Sequence, residues 1–112
     1  MISFTAIQDL ARKLQTTELN IQREYVQHVF LSYFYQQPRT DTIYFKGGTA
    51  LRIIYHSPRF SEDLDFNATR SDIKSIETTI VETLNNIEKE GIKTDIKEAK
   101  KTSGGYLAIL NF

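Results

Sequence analysis

The chain has 112 residues, 40% of them hydrophobic and including seven Phe and six Tyr, which is enough apolar material for one packed domain but not two. Fourteen Lys and Arg balance fourteen Asp and Glu, so no global field draws the protein to nucleic acid or to an anionic membrane, and an RNA partner needs a local patch. The absence of Cys excludes disulfides, thiolate zinc sites and a cysteine nucleophile, and fits a reducing compartment. Residues 1–10 carry Asp9 and no basic cluster ahead of an apolar stretch, so they do not read as a signal peptide, and no apolar run reaches membrane-spanning length. A cytoplasmic soluble domain with no membrane partner is expected.

Ile7, Leu10, Ala11 and Leu14 recur at helical spacing, with Ser3 or Thr5 available as N-cap. A second helix is expected from Thr17 to about Gln36, ahead of Pro38. Its apolar residues, from Leu19 and Ile21 to Tyr33 and Phe34, exceed one narrow stripe, which predicts burial on two sides. Pro38 to Asp41 reads as a turn, and Ile43-Tyr44-Phe45 as a short strand. Gly47-Gly48 breaks that strand, and Thr49 is placed to cap a short helix through Tyr55 that His56-Ser57-Pro58 ends. Asp63-Leu64-Asp65-Phe66 alternates acid and apolar residues as a half-buried strand does. Asp72 is the expected cap of a helix whose Ile73, Ile76, Ile80, Leu84 and Ile87 share one face, with Gly91 at its C-terminus. Lys93 to Glu98 reads as a strand with Ile96 inward, Lys101 to Gly105 as a turn, and Tyr106 to Phe112 as a last strand. The fold class expected is a small α/β (α+β) domain, with a short mixed sheet and helices packed mainly on one face.

Asp63 and Asp65 are one residue apart on a strand, so both side chains project to the same side while Leu64 and Phe66 anchor the other. Neighbouring carboxylates repel unless a cation joins them; a hard divalent ion does so and keeps positions open for phosphate oxygens and water. The alternative is a solvated pair on an exposed sheet face. A calcium loop beginning at Asp63 fails, because its sixth position is Ala68 instead of Gly and its twelfth is Lys74 instead of Glu. Gly47-Gly48-Thr49, between a strand and a helix, lets backbone approach a ligand and offers N–H groups to a phosphate; plain turn chemistry is the alternative. Thr49 can cap the helix or donate to a phosphate oxygen. Lys46 precedes the glycines, so this is no P-loop, and no third glycine completes a dinucleotide fingerprint. Arg59 and Ser61 lie between the two motifs and offer a guanidinium and a hydroxyl to a triphosphate.

Together, Lys46-Gly47-Gly48-Thr49-Ala50-Leu51 and Arg59-Phe60-Ser61-Glu62-Asp63-Leu64-Asp65-Phe66 resemble the signature of the AbiEii-type nucleotidyltransferases. These are bacterial abortive-infection and toxin–antitoxin effectors with a DNA polymerase beta-like nucleotidyltransferase fold. The resemblance implies that Gly47 and Gly48 close on the nucleotide's phosphates and that Thr49 fills the family's Ser/Thr place. It further implies that Asp63 and Asp65 are the catalytic metal-binding pair, for Mg²⁺ or Mn²⁺, and that Ser61 and Arg59 help position the triphosphate. The reaction implied is in-line attack of an acceptor hydroxyl on the α-phosphorus of a nucleoside triphosphate, with release of pyrophosphate. The acceptor would be an RNA such as tRNA, or a protein, and a cognate antitoxin is an implied partner.

The sequence also departs from that family. A third carboxylate normally comes from a later strand, and members usually continue further with a lysine-bearing helical region. Asp95 is the one acid expected mid-strand, where an exposed face suits its polar neighbours, and Tyr106 to Phe112 contains no acid. Residues 1–112 are therefore expected to form a single nucleotidyltransferase-like domain lacking the family's C-terminal part. It would be a catalytic fragment or a truncated, inactive or partner-completed form. The second function is a catalytically incomplete nucleotide-binding or protein-interaction module of the same fold; the third is a scaffold whose acids are incidental. His28 is expected to pack within its helix, His56 to meet helix-end carbonyls, and the lysines from Lys93 to Lys101 to sit on a solvated hairpin.

Overall fold

The structure is a computed structural model and describes residues 2–68, 73–102 and 105–112. Helix α1, Phe4–Lys13, starts at Ser3, whose Oγ accepts from the Ala6 amide at 3.1 Å, so Ser3 and not Thr5 is the cap. Helix α2, Glu18–Phe34, is capped in the same way by Thr17. A single 3₁₀ turn, Thr40–Thr42, leads into strand β1, Ile43–Lys46. Helix α3, Gly47–Tyr55, strand β2, Asp63–Ala68, and helix α4, Ile73–Glu88, follow, then strands β3, Asp95–Thr102, and β4, Gly105–Asn111. The Asp72 cap falls outside the described residues, as do Ser103 and Gly104 of the expected turn.

The four strands pair in the order β1-β2-β4-β3, each pair antiparallel, which corrects the expected mixed sheet. The reason lies in α3. The chain leaves β1 at Lys46 and re-enters the sheet at the same end, where Lys46 is the partner of Asp65, so α3 and its loop make an excursion at one end and not a crossover. Strands β2 and β3 run parallel to each other but are separated by β4.

Alternation along the strands sends Ile43, Leu64, Phe66, Ala108 and Leu110 to one face, where they are buried. Val26, Phe30 and Phe34 of α2 and Ile76, Ile80 and Ile87 of α4 cover that face. Phe66 is at the centre, its ring 4.8 Å from Phe34 and 5.7 Å from Phe45. The opposite side of α2 contributes Ile21 to a separate cluster with Ile7 and Ala11 of α1, so α2 is buried on two sides as its composition predicts.

Strand β3 begins later and runs longer than expected. Lys97, Lys100 and Lys101 lie within it as exposed residues of an edge strand, and the ladder with β4 continues to the pair Thr102–Gly105. Lysines on an edge hinder pairing with a second sheet. Gly105 is required where it stands, because a Cβ there would lie 2.3 Å from the Phe66 carbonyl oxygen.

Replacing Phe66 with Ala is expected to cost about 3–5 kcal/mol in chemical denaturation, whereas Val81→Ala, on the exposed side of α4, should change stability by less than about 0.5 kcal/mol. Tyr35 supplies a pH test. Its hydroxyl donates to the Ile43 carbonyl at 2.9 Å, and burial pushes the phenol up to about 12 from 10.0. A folded-state value above the unfolded one means that its contribution is complete below pH 10 and is lost as pH rises through 12. Tyr35→Phe should flatten the stability profile across that window.

Candidate nucleotide site

The face of the sheet away from α2 and α4 is open. Asp63 and Asp65 project there, about 6.7 Å apart along the strand, while Leu64 and Phe66 between and beside them are fully buried. Antiparallel register sets their neighbours: Lys46 and Leu107 flank Asp65, and Ile109 stands beside Asp63. The irregularity between Ile96 and Glu98 changes the phase of β3, so that Glu98 also faces Ile109.

The glycine turn closes directly on this strand. Gly47 has φ +86°, a backbone state that L side chains rarely adopt, and a Cβ on it would lie 3.1 Å from the Asp65 Cβ and 3.2 Å from Oδ2. A Cβ on Gly48 would lie 3.1 Å from the Ser61 Oγ. The two glycines thus permit two close approaches, one to the acid strand and one to the loop before it. No side chain caps α3 at Lys46. Beside the turn is a cleft of about 730 Å³, lined by Gly48, Arg59, Ser61 and Asp63 together with Arg23 and Phe60. That volume is in the range of small-ligand pockets.

Thr49 departs from expectation. Helix α3 begins before it, at Gly47, so Thr49 is not the cap. Its side chain is buried and its hydroxyl donates to the Asp63 carbonyl oxygen, which leaves no hydroxyl hydrogen for a phosphate. Its observed role is to tie the glycine turn to β2.

For a divalent cation the donor chemistry fits. Asp65 Oδ1 is out of contact with solvent and has no hydrogen-bond partner, and an acceptor in that condition carries a desolvation penalty that a cation would relieve. Two hard carboxylates on one face suit Mg²⁺ or Mn²⁺. Among the described residues no group of three His, Cys, Asp or Glu is arranged to hold a metal. Glu98 is separated from Asp63 by the width of β4, roughly 10 Å at the usual strand spacing. Asp95 is exposed, pairs with Asn111 and shares a different hollow with Glu88 and Lys93.

Two residues at the site belong to neither motif: Arg23, which lines the cleft and lies 3.7 Å from Glu62, and Gln27, which is buried. His28, expected to pack within its helix, is exposed. A usable signal exists: Asn20, Arg23, Glu24 and Gln27 stand at three- and four-residue spacing along one side of α2. His56 ends α3 in the left-handed conformation, its backbone N–H donating to the Leu51 carbonyl.

Gly47→Ala is expected to lose about 1–2 kcal/mol from backbone strain, plus a further loss from the contact with Asp65. Gly91→Ala separates the two, since Gly91 has φ +84° with nothing within 4 Å of its added Cβ. Denaturation of both variants should show the larger loss at Gly47.

No curated protein and no solved structure matches the chain. The family model for the nucleotidyl transferase AbiEii toxin of type IV toxin–antitoxin systems matches residues 29–110. That span runs from the second half of α2 through β4 and includes the glycine turn, the cleft loop and both aspartates. With this match extending over most of its length, the chain belongs to the AbiEii nucleotidyl transferase toxin family.

Proposed function

We propose that the cleft beside Gly47 and Gly48 binds a nucleoside triphosphate with a divalent metal and that the protein transfers its nucleotide to an RNA or protein acceptor. The observation that carries this reading is the contact of Gly47 with Asp65 and of Gly48 with Ser61, which brings a turn able to approach phosphate against a strand bearing two carboxylates. Backbone N–H groups opening α3 take phosphate oxygens, and the Arg59 guanidinium and Ser61 hydroxyl hold the chain of phosphates in one orientation. Arg23 adds a second guanidinium from α2. Asp63 and Asp65 would hold Mg²⁺ or Mn²⁺, which when bound would neutralise phosphate charge and make the acceptor hydroxyl easier to deprotonate. The hydroxyl oxygen would lose its proton to solvent and bond to the α-phosphorus as the bond to pyrophosphate breaks, in line with it. The proteins' own contribution is orientation: Thr49 fixes Asp63 against the turn, and the apolar face of β2 fixes both acids on the sheet. Membership of a toxin family supports a cognate antitoxin as partner.

A second reading has its own support. Among the described residues no third acid stands with Asp63 and Asp65, which favours a module that binds nucleotide without turnover by itself. The two readings separate on measurement. Mg²⁺-ATP or another Mg²⁺-nucleoside triphosphate should bind, with at least about tenfold loss in Asp65→Asn and Asp63→Asn, the size expected when a charged ligand of a metal is removed. Arg59→Ala should weaken binding several-fold while leaving its dependence on Mg²⁺ intact. Transfer of labelled nucleotide to RNA or protein supports the enzyme; binding without transfer supports the module. Equal affinity in wild type and both aspartate variants would remove the metal site from consideration.

A further inference from the structure

Two backbone carbonyls, one on each side of Glu62, are held by buried side chains arriving from different helices. Thr49 of α3 donates to the Asp63 carbonyl, and Gln27 of α2 donates through Nε2 to the Ser61 carbonyl at 2.9 Å. Gln27 is only 2% exposed. A buried amide donor without a partner carries a desolvation penalty, so this bond confines the loop as well as satisfying the side chain.

Helix α2 acts on the same loop through two further links, one by way of Arg52 of α3 and one by way of the α1–α2 apolar cluster. The Arg52 guanidinium pairs with Glu24 of α2 at 2.8 and 3.4 Å and donates to the Ser57 carbonyl at 2.9 Å. It also lies 3.9 Å from the centroid of the Phe60 ring. Phe60 in turn packs against the Ile7, Ala11 and Ile21 cluster that joins α1 to α2. A partly buried ion pair is a weak source of stability compared with apolar packing of the same volume. Its advantage here is directional: it fixes one carbonyl and one ring, which aliphatic contacts do not do.

We propose that α2 sets the position of residues 57–63, with Gln27, Glu24 and Arg52 acting as positioning residues of the nucleotide cleft. The consequence for nucleotide rests on the reading of the cleft given above; the mechanical claim about the loop does not. Gln27, Glu24 and the whole of α1 lie before the residues matched by the family model, so the proposed clamp draws on side chains outside that match.

The test compares Gln27→Met, which keeps size and removes the donor, and Glu24→Gln, which removes the ion pair, with Ile76→Ala, a fully buried core variant on α4. Amide hydrogen exchange is measured residue by residue, and Mg²⁺-ATP affinity is measured on the same proteins. Exchange at 61–64 should rise by about tenfold or more in Gln27→Met beyond any global change, with Mg²⁺-ATP affinity falling several-fold. In Ile76→Ala exchange should rise across the domain without preference for the loop. Unchanged exchange at the loop in both α2 variants, or a uniform rise like that of Ile76→Ala, overturns the proposal. If wild type binds no Mg²⁺-nucleotide while Gln27→Met still loosens 61–64 selectively, the nucleotide reading falls and the mechanical clamp is supported.

Discussion

The contact between Gly47 and Asp65 is the constraint on which the rest of the site depends. It exists because β1 and β2 are antiparallel neighbours with Lys46 opposite Asp65, so the residue that follows β1 must pass within van der Waals reach of the acid strand. A residue without a side chain passes there at φ +86° without strain and without crowding Asp65. Once it has passed, α3 is launched from that end of the sheet, Thr49 meets the Asp63 carbonyl, and Gly48 meets Ser61. The local backbone of one glycine therefore decides where a helix start, a loop hydroxyl and two carboxylates stand relative to each other.

The sheet supplies the second requirement, rigidity. Leu64 and Phe66 are fully buried against α2 and α4, and since side chains alternate along a strand, their burial forces Asp63 and Asp65 onto the open face. A slip of one residue would bury the acids and expose Leu64 and Phe66, at a cost far above that of any surface contact. The open face is accordingly built from the same interactions that make the core.

Several of these features were legible in the sequence and others were not, for physical reasons. Asp63 to Phe66 alternates with period two, and Ile73, Ile76, Ile80 and Ile87 repeat with helical period, so both elements and their buried sides could be read directly. Ser3 and Thr17 announced two helix starts by their capping chemistry. Strand direction was not legible, because it depends on where α3 returns the chain and not on any property of β1 or β2 alone. The length of β3 escaped because polar, lysine-rich residues have weak strand preference and are recruited by the apolar partner β4. On α2 the apolar residues surround the helix, so period alone could not say whether Gln27 or its neighbour His28 would turn inward. Thr49 does not cap α3 for a related reason: its hydroxyl answers to a carbonyl on β2, which only the assembled turn brings near.

What remains is whether the open face holds a cation at the paired acids. Substoichiometric Mn²⁺, whose unpaired electrons broaden nearby amide signals, addresses this without requiring turnover. Selective broadening at Gly47, Gly48 and 63–66 is the expected result. Broadening spread evenly over the domain, or centred on Glu88 and Asp95, would contradict it.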